Sequence, residues 1–207
     1  APAPGDGHAA WYSATHQIPR ARARHAGLHL GVSDSKPFVH CHGIWEGTGA
    51  LADMGHMLCH DSILAQDCTV AGWGLWGAGL VSRYDSETDF TLFNPEQQDE
   101  CPKPDAFLIT LRPNQDIGTA LQSFARNQGI AEAQVEGIGS LVGSVFSDGR
   151  TINSYATEIL ILRGRLRKGA LTLEIASTGF DGRGHLGQLA QGRNAVCVTA
   201  EILLMPL

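Results

Sequence analysis

The chain has 207 residues, of which 43% are hydrophobic and 17% charged, and its formal net charge is −6. That length suits one large or two small domains with a proper core, and the apolar content excludes a disordered chain. No apolar run approaches the ~20 residues of a membrane span, no secretory leader pattern opens the chain, and overall acidity argues against non-specific nucleic-acid binding.

Taken in order, residues 1–23 read as an irregular lead-in; the first residue is Ala rather than Met, which points to a processed or truncated chain. Eight of the nine histidines lie in the first 60 positions, six of them in residues 24–92. Here 36–42 reads as a strand, 46–53 as a turn, and 67–75 as a further strand. Residues 93–104 carry three prolines together with acidic and amide side chains, and read as a linker.

From 105 to 207 the pattern becomes regular. Phe107–Leu111 is a short apolar strand, followed by a turn ending on the N-cap residue Asp116. Ile117, Ala120, Leu121, Phe124 and Ala125 follow at helical spacing up to Gly129, a glycine placed to stop the helix. Strands are expected at 133–136, 141–146, 157–166, 170–176 and 195–204, separated by Asp-Gly and Gly-Arg turns. One helix among many strands means an α+β fold with a largely antiparallel sheet and one packed helix per complete repeat. Sliding the chain by 132 residues lays Lys36–His42 on Lys168–Glu174, and Gly55-His56 then falls on Gly184-His185 after a three-residue gap. The front region thus reads as the back half of a repeat, without the helix.

The chemistry-bearing pattern is His40-Cys41-His42 with His56 beyond one turn. Residues two apart in a strand share a face, so His40 and His42 point together and the returning strand sets His56 beside them. Three neutral imidazoles with a fourth position open suit Zn²⁺, although imidazole also serves copper, iron and nickel. Such an ion acidifies water or polarises a carbonyl. His60 reads either as a fourth ligand or neighbouring group, or as a solvated or structural residue, and Cys41 and Cys59 as soft ligands or buried thiols. Glu158 is either a perturbed carboxylate or an outward residue of a half-exposed strand. In the second repeat Thr172 and Glu174 replace the histidine pair, so His185 keeps only Glu174 as a companion. The remaining histidines, His8, His16, His25 and His29, receive no role. Arg163, Arg165, Arg167 and Lys168 form a basic cluster, which has neither aromatic interleaving nor a recognition helix and reads as a solvated edge. Five cysteines without Cys-x-x-Cys spacing fit a reducing, cytoplasmic setting.

The run 105–116, Gly-Ile-Gly-Ser at 137–140, Glu-Ile-Leu at 158–160 and Gly-His-Leu at 184–186 resemble the plants and prokaryotes conserved (PPC) domain, with 24–76 similar to part of a second copy. The resemblance implies an antiparallel sheet with a packed helix, assembled as a trimer, in a fold similar to that of acetolactate decarboxylase. The zinc-holding His-x-His…His set of that enzyme carries over onto His40, His42 and His56 and onto nothing in the second copy. Two functions stay open at this point. One is a zinc site, enzymatic or not, for a small oxygen-rich metabolite. The other is a non-enzymatic oligomeric binding module, including the DNA-binding role often given to PPC proteins, against which the absent AT-hook and the negative charge both stand.

Overall fold

The structure is a computed structural model and describes residue 10, residues 13–47 and residues 52–207. Most of the segment 1–12 and the middle of the turn 46–53 lie outside the described residues; 13–21 have no regular structure. The first sheet comprises β1 (Arg22–Ser33), β2 (Lys36–Glu46), β3 (Ala52–His56), β4 (Ala78–Asp85) and β5 (Phe90–Gln97), in the order β3-β2-β1-β4-β5. β1 and β2 form a hairpin whose two turn residues, Asp34 and Ser35, both have positive φ, the geometry that matches strand twist across a two-residue turn. β2 pairs antiparallel with β3, which puts His42 directly opposite His56. β4 lies parallel to β1. A parallel neighbour needs a long connection, and the irregular stretch 57–77 supplies it.

The second half contains β6 (Phe107–Leu111), α1 (Ile117–Asn127), β7 (Glu132–Leu141), β8 (Ser144–Val145), β9 (Thr151–Ile152), β10 (Thr157–Arg167), β11 (Ala170–Thr178), β12 (His185–Gln188) and β13 (Val196–Pro206). Six of these strands make one antiparallel sheet, β12-β11-β10-β7-β13-β6, and β8 with β9 makes a small hairpin. Asp116 caps α1 by accepting from the Thr119 backbone N–H at 2.8 Å, and Gly129 ends it at φ +69°. The apolar stripe Ile117, Leu121 and Ala125 packs on one sheet face, in a core with Val135, Ile159, Ile175 and Ile202.

The other face of this sheet receives the first sheet through a smaller cluster: Ile44 and Met54 against Ile138, Leu160 and Ala176. The layers are therefore sheet, sheet, helix. The polarity of β1 is inverted in this arrangement. Its outward row, Leu28, Leu30 and Val32, is exposed, while Gly27 and His29 face the second sheet. Gly27 permits this close approach: a Cβ there would stand 2.6 Å from Leu160 Cδ1 and 3.1 Å from Ile138 Cγ2, so the Leu160 side chain would have to shift.

Several expectations need correcting. No strand forms at 67–75; Gly72 and Gly74 interrupt the run, it has no neighbour to pair with, and Val70, Trp73 and Trp76 are exposed. The segment read as a linker from Phe93 is strand as far as Gln97, and Pro95 is tolerated because β5 is a sheet edge. Residues 141–146 are not one strand; Gly143, at φ +68°, separates the end of β7 from β8. The two meanders β3-β2-β1 and β12-β11-β10 share their strand order, but their hairpin turns superpose Asp34-Ser35 on Lys168-Gly169. Counted from those turns, His40 occupies the position of Glu174 and His42 that of Ala176, two residues from the alignment by sequence.

Candidate metal centre between the two sheets

β2 presents His40 and His42 on its inner face, and the register with β3 adds His56. The ring centroids of His40 and His42 are 4.8 Å apart, those of His40 and His56 5.0 Å, and those of His42 and His56 5.4 Å. One nitrogen from each ring lies within 4.8 Å of the others, and the Nε2 atoms of His40 and His42 are 3.1 Å apart.

The second sheet orients the rings from behind. Glu201 on β13, with its side chain 1% exposed, accepts from His40 Nδ1 at 2.9 Å and from His29 Nδ1 at 2.7 Å. The Ile159 carbonyl accepts from His42 Nδ1 at 2.9 Å. Glu158 Oε2 stands 3.2 Å from His42 Nε2. A cavity of about 70 Å³ opens beside the imidazoles, bounded also by Phe90, Leu92, Ser140, Glu158 and Thr199.

Burial and these contacts shift the proton affinities of the buried groups. Burial, followed by the neighbouring His40 and His56, lowers His42 well below the ordinary imidazole range, and burial lowers His56 to about 4. Burial alone would lower His40 as well, but its hydrogen bond to Glu201 and that carboxylate's charge outweigh the effect and raise it. Glu201 answers in kind: burial pushes its carboxyl up, the bonds from His29 and His40 win, and it settles at about 2. Burial lifts Glu158 to about 7, with His40 opposing. The Nε2 atoms of His40 and His42, 3.1 Å apart, share one hydrogen between them.

An ion held by these nitrogens takes the place of that proton. Ligand nitrogens on tetrahedral zinc stand roughly 3.3 Å apart, given Zn–N bonds of about 2.0–2.1 Å; the His40–His42 pair at 3.1 Å already fits, and His56, within 4.8 Å of both, would have to draw closer. Because the pKa of His40 is raised, its proton competes with metal from above pH 6.5 downward, whereas His56 competes only near pH 4. Zinc affinity is therefore expected to fall by about tenfold per pH unit on acidification through the His40 transition. Competition titrations against a chelator at a series of pH values measure that slope, and a flat profile would refute it.

Of the other residues singled out by sequence, Glu158 lies at the cavity. His60 is exposed, its ring 5.8 Å from that of Phe38, and does not line the cavity. His185 pairs with Ser177 on β11 and is also away from it. Cys41 points to the opposite face from the histidines, and burial pushes its thiol up to about 11, where a thiolate ligand is disfavoured. Arg163 sits 4.0 Å from Glu174, Arg167 is paired across strands with Glu132, Arg165 faces Gln134 and Thr172, and Lys168 is in the hairpin turn. Sequence reasoning missed His29 and Glu201. Glu201 carried a signal, as the only charged residue within the apolar strand Val196–Pro206; His29, between exposed leucines, carried none.

The sequence profile of the Plants and Prokaryotes Conserved (PCC) domain matches residues 98–207. No curated protein matches the chain. Among solved structures, a hypothetical protein from Salmonella enterica is 22% identical over 49% of this chain and 77% of its own, with a TM-score of 0.43. A candidate DNA-binding protein from Bacteroides thetaiotaomicron is 20% identical over 51% and 81%, with a TM-score of 0.44. A metal-containing protein from Archaeoglobus fulgidus is 19% identical over 50% and 80%, with a TM-score of 0.39.

Proposed function

This chain belongs to the Plants and Prokaryotes Conserved domain family through residues 98–207, and from that premise we propose that its first sheet builds a divalent-metal site against the domain, with His40, His42 and His56 as ligands and zinc as the preferred ion. One observation carries the reading: three imidazoles converge within 4.8 Å beside a cavity. The donor chemistry supports it, since His42 and His56 are held neutral and the backs of His40 and His42 are hydrogen-bonded. A bound ion would supply Lewis acidity to an oxygen atom in the cavity. Glu158 offers a proton-holding carboxyl beside His42, and Phe90 and Leu92 form an apolar wall that limits water. The ligand class is a small oxygen-bearing molecule, because about 70 Å³ admits only a few heavy atoms.

Elemental analysis of protein purified without a His-tag or chelator tests this directly. About one zinc per chain supports the reading; metal-free protein that also fails to take up added Zn²⁺ overturns it.

The same reading includes assembly with further copies of the chain, as a trimer. Its support is the exposed apolar surface: Leu28, Leu30 and Val32 on β1, and Ile63, Leu64 and Trp76 in the segment 57–77. Light scattering at micromolar concentration is expected to give a multiple of the chain mass, and a monomer at all concentrations would refute assembly. DNA binding is not favoured, because two of the three arginines of β10, Arg163 and Arg167, face Glu174 and Glu132 rather than forming a free basic surface.

A further inference from the structure

His29 and His40 are direct cross-strand partners in the β1–β2 hairpin. Both turn their Nδ1 atoms to one carboxylate of the opposite sheet: Glu201 Oε1 meets His40 at 2.9 Å and Oε2 meets His29 at 2.7 Å. A carboxylate only accepts hydrogen bonds, so each Nδ1 carries its hydrogen and the remaining lone pair of His40 is on Nε2, which faces His42. A carboxylate held through one oxygen can rotate about its last torsion; held through both, by residues fixed in adjacent strands, it cannot.

Resting on the metal reading above, we propose that Glu201 is the positioning residue of the centre, setting the tautomer and direction of His40, and that His29 anchors Glu201 by occupying its second oxygen. Neither residue touches the ion. Glu201 comes from the family domain and His29 from the sheet that precedes it, so the ligand geometry is fixed only when the two sheets are docked. Hydrogen bonding to a carboxylate also makes His40 a stronger donor, which helps a neutral cavity hold a dication.

The test uses the full chain with Zn²⁺ and Co²⁺ as probes. Glu201→Gln keeps the shape, but its amide donates toward one of the two Nδ1–H groups. Zinc affinity, read by chelator competition, is expected to fall about 10–100-fold, and the visible absorption of the Co²⁺ form is expected to change, since it reports ligand geometry. General destabilisation would lower the melting temperature without moving the Co²⁺ spectrum. His29→Ala is expected to weaken zinc binding less than Glu201→Gln does. His29→Asn, which restores an N–H near the Nδ1 position, is expected to return it toward the wild-type value. Unchanged affinity and spectrum in Glu201→Gln, or in His29→Ala should the first variant fail to fold, overturn the inference while leaving the metal reading intact. A wild-type protein that binds neither ion overturns both.

Discussion

Replacing His42 by alanine is expected to strip the protein of zinc, from about one ion per chain to a level that elemental analysis cannot separate from the buffer. His42 is 1% exposed and contributes the Nε2 atom nearest to His40, so its loss takes away one of three converging nitrogens. Disturbing a group behind a ligand already costs about 10–100-fold in metal affinity, and deleting a ligand costs more. The substitution has a second effect, because the Ile159 carbonyl loses its hydrogen-bond partner. An unsatisfied buried acceptor costs roughly 1–3 kcal/mol, so a thermal melt must show that the variant is folded when metal is measured. The double variant His40→Ala/His42→Ala removes the closest nitrogen pair, and zinc retained in it would show that the ion is bound elsewhere.

The largest loss of stability is expected in the opposite half of the molecule, from Phe146→Ala. Phe146 is 2% exposed in the main core and fills the space left by Gly187, where a Cβ would stand 2.6 Å from the ring. The Arg150 guanidinium lies over the ring at 5.0 Å from its centroid, which adds a cation–π contact. Truncating a buried Phe typically costs about 3–5 kcal/mol, because burial energy is lost and a cavity remains. For a chain of this size that means a melting temperature lower by roughly 6–20 °C. Zinc content at room temperature is expected to stay at the wild-type level, since Phe146 belongs to the helix-side core and the histidines to the other sheet face. A change of less than about 1 kcal/mol in denaturant titrations would show that the core closes over the gap.

Local features of the fold were legible where local physics decides them. The helix from Ile117 could be read from its cap at Asp116, its apolar spacing and the glycine at 129. The strands Phe107–Leu111 and Thr157–Arg167 stood out by apolar content. The histidine pair was legible for a similar reason: the two-residue period of a strand places His40 and His42 on one face without knowledge of anything distant. What surrounds them was not. Glu201 meets His29 across 172 residues of sequence, and no nearby residue announces that contact. β1 misleads because its leucines face outward and a glycine lies beneath them, the reverse of a half-buried strand. The apolar run at 67–75 attracted a strand assignment, while β4 and the edge strand β5, with mixed composition and a proline, did not.

Gly27 has a consequence beyond packing. The gap between β1 and the second sheet is set there by a side chain that does not exist, and the reach of Glu201 to His29 and His40 depends on that gap. One added methyl group would press on Leu160 and Ile138, side chains that stand in the gap the two imidazoles cross to meet the carboxylate. A residue that bears no functional group thus helps define the space in which Glu201 meets the two histidines, as much as the histidines themselves do.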